Sequence, residues 1–203
     1  MKLYYSPGAC SLADHIVLEW IGKPYEVVRV TRDERKSPAF LALNPAGAVP
    51  VLQDGEWVLT QNAAILGYLA DIAPEAGLAG DGTPKGRAEV ARWLAFVNSD
   101  VHPAFKPLFG SIAWLEDEAT IDRGKAVARA SLRGLFERID AQLARHDWIA
   151  GTRSIADPYL YVVTRWAKAN RVDLSGLGNL AGFVARIEAN PAVQKVLAEE
   201  GQS

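Results

Sequence analysis

The residue best suited to chemistry in this chain is Cys10, its only cysteine. Cys10 follows an apolar run and a Pro7-Gly8 loop and precedes a helical pattern, so we expect it in the first turn of a helix. Unpaired N–H groups and the helix dipole stabilise an anion there, which lowers the pKa of a thiol. The position indicates a reactive cysteine or a place that receives another molecule's thiolate, and a small buried apolar residue is the alternative.

The surroundings of Cys10 in the sequence argue against several other chemistries. The segment CSLA at 10–13 lacks the second cysteine of a C-x-x-C pair, so redox work would need an external thiol. A cysteine protease would pair Cys10 with a histidine, but the local signatures of those enzymes are absent. The three histidines also lack the i, i+4 spacing of a metal site, and we expect no metal.

The overall composition is that of a globular protein without a strong charge bias. Lys and Arg number 22 against 24 Asp and Glu, and 49% of the 203 residues are apolar. No block of like charge favours nucleic acid or an anionic membrane as a partner. The N-terminus lacks the apolar core of a secretory signal, and no apolar run reaches the ~18 residues of a membrane span. We therefore expect a soluble, cytoplasmic protein.

The elements that must position Cys10 follow a β-α-β-α-β-β-α order. A strand, a helix ended by Gly22 and a second strand come first, and Asp54-Gly55 is a strong hairpin signal between the third and fourth strands. The predicted elements, in order, are a strand at 2–6, a helix at 10–21, a strand at 25–30, a helical turn at 38–43, strands at 49–53 and 56–59, and a helix that ends before Pro74.

A dense run of glycine and proline between residues 74 and 86 separates this module from a second one. Beyond it the apolar residues recur only at helical spacing, for example at Tyr159, Val162, Val163 and Trp166. The predicted organisation is an α/β domain at 1–79, a linker at 80–86 and an all-α domain at 87–203.

Three motifs together resemble the bacterial beta class of glutathione S-transferases. They are YSPGACS at 5–11, NPAGAVP at 44–50 and SIAD at 154–157. The resemblance covers essentially the whole chain and implies the glutathione S-transferase fold, a thioredoxin-like α/β domain followed by an all-α domain. It also implies glutathione as co-substrate, a small hydrophobic electrophile as second substrate, and a homodimer.

The resemblance implies a catalytic group around Cys10. His102 is the second catalytic candidate, because its helix is similar to the family helix whose histidine faces the cysteine, and it would hydrogen-bond the thiol or stabilise its anion. Ser11 is an alternative activator, since its hydroxyl on the same helix turn could donate to the sulfur, and Tyr5 is a third choice. The electrophile's apolar pocket is expected between the loop after the first strand and the helices that carry His102 and Trp114.

The glutathione contacts implied by the family fall on several positions. The backbone of Val49, before a cis Pro50, would pair with the cysteinyl backbone of glutathione. Gln61 and Asn62 stand where the family has an acidic and then a small polar residue for the γ-glutamyl end, and both would alternatively just cap a helix. Arg35 is the loose match for the glycyl carboxylate contact, with Arg32, Lys36 or a merely solvated charge run as alternatives.

The dimer partner's contribution and the third motif complete the comparison. Ser99 fits a polar contact that the family supplies across the dimer, whereas Ala95 and Pro103 depart from the family's Asn and basic residue. In the third motif, Ser154 and Asp157 form a capping box, which we interpret as structural rather than catalytic.

We therefore predict a glutathione transferase that functions in detoxification. Either glutathione thiolate attacks an electrophilic carbon, or Cys10 forms a mixed disulfide with glutathione and the protein reduces disulfides. The alternative from another class is a non-enzymatic binding or regulatory protein with the same fold, motivated by Gln61, Ala95 and Pro103.

Overall fold

A four-stranded mixed sheet organises the N-terminal part of the computed structural model, which describes residues 1–202. The strand order is β2-β1-β3-β4, with β1 parallel to β2 and antiparallel to β3, and β3 antiparallel to β4. The strands are β1 Lys2–Tyr5, β2 Glu26–Arg29, β3 Val51–Asp54 and β4 Trp57–Thr60. The predicted hairpin is confirmed, because Asp54 pairs with Trp57 across a turn in which Gly55 has a φ of 62°.

Three helices accompany this sheet: α1 Ser11–Ile21, α2 Pro38–Leu43 and α3 Asn62–Asp71. Gly22 ends α1 as predicted, since it adopts a φ of 71° and donates its N–H to Leu18 O. The third strand begins two residues later than predicted, at Val51, because the Val49-Pro50 pair lies outside the ladder.

The rest of the described chain is helical, and the predicted fold class is confirmed. Its helices are α4 Pro84–Phe96, α5 His102–Ala104, α6 Glu118–Leu143, α7 Ala156–Ala169, α8 Gly178–Glu188 and α9 Pro191–Glu199. A π-helical segment, Val97–Val101, joins α4 to α5. None of the helices within residues 1–202 is long and apolar enough to cross a bilayer.

The two modules share one apolar core. A single cluster of buried side chains runs from Leu3 in β1 to Leu197 in α9, and α1 packs against both α7 and α9. The helix α4 already begins at Pro84, inside the predicted linker, because Thr83 caps it by accepting a hydrogen bond from Gly86 N at 3.0 Å. The division at 80–86 remains a prediction.

The π-helical segment lies directly before His102. Pro103 has no N–H, so the ordinary helical hydrogen bond at that position cannot form. One residue earlier, His102 N donates to Val97 O, five residues back, which is the π-helical pattern. Asn98 and His102, four residues apart across this segment, both line the cavity described below.

Asp157 is fully buried and stabilises the start of α7 through hydrogen bonds. Its carboxyl group accepts from Ile149 N at 2.9 Å, from Ser154 N at 2.7 Å and from the Ser154 hydroxyl at 3.1 Å. Ser154 Oγ accepts from Ala156 N at 3.3 Å. The predicted capping box is confirmed, and its reach to Ile149 also fixes the loop before the helix.

Candidate functional site

A cavity of about 270 Å³ lies where α1, the Val49-Pro50 edge, the start of α3 and the α4–α5 segment meet. It brings together the predicted residues Cys10, Val49, Pro50, Gln61, Asn62 and His102. The other residues that line it are Asn44, Ala46, Ala48, Asn98, Pro103, Lys106 and Tyr159. No group of three potential metal-ligating side chains occurs among residues 1–202.

Cys10 lies at the N-terminal boundary of α1, as predicted, but its thiol has a raised pKa rather than a lowered one. Desolvation is the largest cause and the carboxyl of Asp14, one turn along α1, is the second, and together they raise the pKa of Cys10 to about 12. Hydrogen bonding by the backbone N–H groups of Cys10 and Ser11 lowers the pKa, as the sequence argument required, but by less. The Sγ atom donates to Val49 O at 3.7 Å, so the free protein holds a thiol here.

A direct consequence is slow alkylation of Cys10 in the ligand-free protein. At pH 8 we expect iodoacetamide to react roughly 50-fold more slowly than with free cysteine, allowing for the greater nucleophilicity of a basic thiolate. The rate should still be rising above pH 10, because ionisation occurs near the raised pKa of about 12. Mass spectrometry follows the single cysteine, and a rate that levels off near pH 7 would contradict the raised pKa.

The structure does not place Ser11 where it can activate a sulfur atom. Its side chain is fully buried, and its hydroxyl contacts the backbone of Ser6, at 3.3 Å from the nitrogen and 3.4 Å from the oxygen. Ser11 is not among the residues that line the cavity, and neither is Tyr5, whose ring packs against His15. Both side chains instead connect α1 to β1 and the loop that follows it.

Val49 and Pro50 form one wall of the cavity, and the peptide bond between them is cis, as the resemblance implied. Val49 O is the acceptor for the Cys10 thiol. Because Val49 precedes β3, its backbone groups are not used by the ladder between β1 and β3. A bound peptide can therefore pair with them as an added strand would.

The start of α3 differs from the predicted cap. Gln61 has a φ of 76° and makes no side-chain cap, and it reaches the cavity from an exposed position. Asn62 is buried. In the amide orientation that satisfies both neighbouring acceptors, its side-chain nitrogen donates to Cys10 O at 3.2 Å and to Asp14 Oδ2 at 2.6 Å. Neither side chain caps the helix, so the first N–H groups of α3 remain available to an anion.

His102 belongs to a hydrogen-bonded group that sequence analysis did not identify. Its Nδ1 lies 2.5 Å from the hydroxyl of Tyr159, which donates to Asn98 Oδ1 at 3.3 Å. In this arrangement Nδ1 carries the imidazole proton and Nε2 is free to accept one. Burial, and then the charge of Lys106, lower the pKa of His102, which keeps the ring neutral near pH 7.

Replacing Tyr159 with phenylalanine tests this group, because it removes only the hydroxyl between His102 and Asn98. We expect kcat/KM with glutathione to fall about tenfold, as one buried hydrogen bond is worth ~1 kcal/mol or more. The acidic limb of the pH profile of kcat/KM should shift as well, which a purely structural defect would not cause. The matched control is Tyr161→Phe. Tyr161 is equally buried on α7, but its hydroxyl forms hydrogen bonds with Glu188 and Arg165. An equal effect in both variants would contradict a role of the Tyr159 hydroxyl in positioning His102.

Two predicted contacts lie outside the cavity wall. Arg35, in the 3-10 turn Glu34–Lys36, is half-buried with its Nε unpartnered. Ser99 is exposed on the π-helical segment, on a different face from Asn98. Arg35 as a glutathione contact and Ser99 as a contact across a dimer both remain predictions.

An aromatic surface adjoins His102. The ring of Trp166 packs on His102, Phe105 and Phe109, with centroid distances of 4.7, 5.6 and 5.2 Å. Trp166 Nε1 donates to Gly8 O at 2.7 Å, which ties this surface to the loop before Cys10. Trp114, predicted to border the pocket from a helix, lies instead in a 3-10 turn and is 74% exposed.

Comparison with known proteins gives consistent matches. The family model for the glutathione S-transferase N-terminal domain matches residues 1–71. The glutathione S-transferase GST-4.5 of Xanthomonas campestris is 56% identical over 202 residues, which cover 99% of each chain. A sphingomonad glutathione S-transferase solved with glutathione is 40% identical and superposes with a TM-score of 0.88. A beta-class glutathione S-transferase of Sphingomonas chungbukensis is 37% identical, also with a TM-score of 0.88. Each of these two matches covers 100% of both chains.

Proposed function

This chain belongs to the glutathione S-transferases, close to the bacterial beta class, and on that premise we propose that its cavity activates glutathione for attack on a small hydrophobic electrophile. The observation that carries the proposal is the meeting of Cys10, the Val49 backbone, the start of α3 and His102 around one cavity. The glutathione complex of a relative that is 40% identical supports the same ligand here.

The geometry suggests a definite orientation for glutathione. Its cysteinyl backbone pairs with Val49, and its γ-glutamyl carboxylate lies at the start of α3, where uncapped N–H groups and the helix dipole favour an anion. Gln61 presents an amide oxygen to the γ-glutamyl ammonium group. The sulfur atom of glutathione then lies near Cys10 and His102.

The thiol of glutathione loses its proton to His102 Nε2 in this scheme, and Cys10 remains protonated. Once the cysteinyl N–H of glutathione occupies Val49 O, the Cys10 thiol is released from that acceptor and donates to the new thiolate. A thiol with a pKa near 12 suits a donor and not a nucleophile at neutral pH. The thiolate attacks the electrophilic carbon, forms a C–S bond and expels the leaving group.

The electrophile binds on the aromatic surface formed by Phe109 and Trp166, which packs on the buried ring of Phe105. Phe109 is 53% exposed, so it offers a free aromatic face beside Trp166, whose ring in turn contacts His102. Flat apolar molecules are the class that such a surface recognises.

Disulfide reduction through Cys10 is the second chemistry of the same site. In it, the Cys10 thiolate attacks the glutathione sulfur of a mixed disulfide, forms a Cys10–glutathione disulfide and expels the substrate thiol. A second glutathione then attacks the glutathione sulfur of that disulfide, leaves as glutathione disulfide and restores the Cys10 thiol. The raised pKa of Cys10 in the free protein disfavours this route relative to conjugation, because the thiolate is the nucleophile.

We also infer a cytoplasmic homodimer with a role in detoxification. The exposed Ala95 and Ser99 lie on the helical face that the resemblance assigns to the partner subunit. The close relatives named as transferases favour an enzyme over the non-enzymatic alternative.

The proposal is tested by calorimetric titration with glutathione, followed by turnover with 1-chloro-2,4-dinitrobenzene. We expect binding and glutathione-dependent release of chloride, and the pre-formed product S-(2,4-dinitrophenyl)glutathione should inhibit competitively. Binding without turnover of several apolar electrophiles would instead favour the non-enzymatic alternative, and absence of binding would overturn the proposal.

A further inference from the structure

We propose that Lys106 binds the glycyl carboxylate of glutathione, a contact that the sequence comparison placed on Arg35. The assignment rests on the proposed function and concerns the opposite end of the ligand from α3. Each carboxylate of glutathione needs hydrogen-bond donors or a cation to replace the water it loses.

The charge inventory of the cavity points to Lys106. It is the only lysine or arginine among the residues that line the cavity, and no aspartate or glutamate lines it. Lys106 is exposed, and it takes part in none of the ion pairs found among residues 1–202. Its ammonium group is therefore not committed to a carboxylate of the protein.

The backbone of Lys106 is fixed although its side chain is not. Lys106 N donates to Pro103 O at 3.0 Å, and Lys106 O accepts from Phe109 N at 3.2 Å and from Ser111 N at 3.0 Å. The side chain thus projects from a rigid turn directly after α5, one helical turn beyond Pro103. Lys106 follows His102 by four residues along this turn, and both residues line the cavity.

This location matches the glycyl end of the ligand. The γ-glutamyl end is directed toward α3 and the cysteinyl sulfur toward Cys10 and His102. Glycine follows cysteine in glutathione, so its carboxylate lies beyond His102, within reach of a lysine side chain. Arg35, in contrast, does not line the cavity.

The experiment compares Lys106→Met with wild type by calorimetric titration of two ligands, glutathione and its glycyl ethyl ester, in which the glycyl charge is removed. For glutathione we expect Kd to rise about tenfold in Lys106→Met, the size of one charge-assisted contact. For the ester, wild type and variant should bind equally. Lys106→Arg, which keeps the charge, should recover most of the affinity for glutathione.

The matched control is Lys85→Met, which removes an exposed lysine from the start of α4 that does not line the cavity. It should leave both Kd values unchanged, which separates a specific contact from a loss of overall charge. An equal loss of affinity for glutathione and ester, or no loss for either, overturns the assignment. If wild type binds neither ligand, the proposed function itself fails, and this assignment fails with it.

Discussion

Replacing Cys10 with alanine is expected to abolish disulfide-reductase turnover while conjugation falls by less than about tenfold, the value of one neutral hydrogen bond. The difference follows from the two roles of the residue. In reduction, the Cys10 sulfur forms the mixed disulfide, and no other cysteine exists in the chain to replace it. In conjugation, the sulfur of glutathione forms the new bond and the Cys10 thiol only donates a hydrogen bond.

Both activities should be measured on one preparation, with a glutathionylated small disulfide and with 1-chloro-2,4-dinitrobenzene. Cys10→Ser is the matched variant, because its hydroxyl keeps a donor at the same position but cannot form a disulfide. It should conjugate at close to the wild-type rate and reduce nothing. Reductase activity that survives in the alanine variant, or loss of conjugation beyond ~100-fold, would contradict the helper role.

The largest effect on stability is expected at Asp157. Replacing it with alanine leaves the N–H groups of Ile149 and Ser154 and the Ser154 hydroxyl without their acceptor in a fully buried region. The cost of buried unsatisfied groups predicts a loss of about 3 kcal/mol in the free energy of unfolding. For a chain of this size that corresponds to a fall of roughly 10 °C in Tm.

The control for Asp157 is Asp173→Ala. Asp173 also accepts a backbone hydrogen bond, from Ser175 N at 2.9 Å, but its side chain is 73% exposed and water can replace it. Its loss should cost less than about 1 kcal/mol, measured by urea unfolding under the same conditions. Equal losses in the two variants would show that the buried hydrogen bonds of Asp157 contribute no more to stability than the exposed hydrogen bond of Asp173.

Local patterns in the sequence predicted the elements that carry the site. The boundary of α1, the hairpin at Asp54-Gly55 and the capping box of Ser154 and Asp157 depend on neighbouring residues, so spacing and residue type suffice. The motif at 44–50 also placed the Val49-Pro50 edge at the cavity.

The remaining features of the site depend on contacts between distant parts of the chain. The pKa of Cys10 is raised by desolvation that only the packed structure produces, which outweighs the helix N-terminus that the sequence reveals. Tyr159 meets His102 across 57 residues, and its helical spacing made it resemble an ordinary core residue. Capping of α3 was the alternative role for Asn62, but the approach of α1 directs its amide to Cys10 and Asp14.

The cavity's action on the glutathione thiol is measured most directly by its thiolate absorbance near 240 nm. The complex of wild-type protein with glutathione is titrated from pH 5 to pH 10, with the ligand-free protein subtracted. Free glutathione should ionise near ~8.5, as an unperturbed thiol does, and Cys10 contributes little in this range because its pKa is about 12. We predict that the bound thiol ionises at least about one pH unit lower, since the Cys10 thiol and the start of α1 stabilise the anion. An unshifted or raised pKa for bound glutathione would contradict the account.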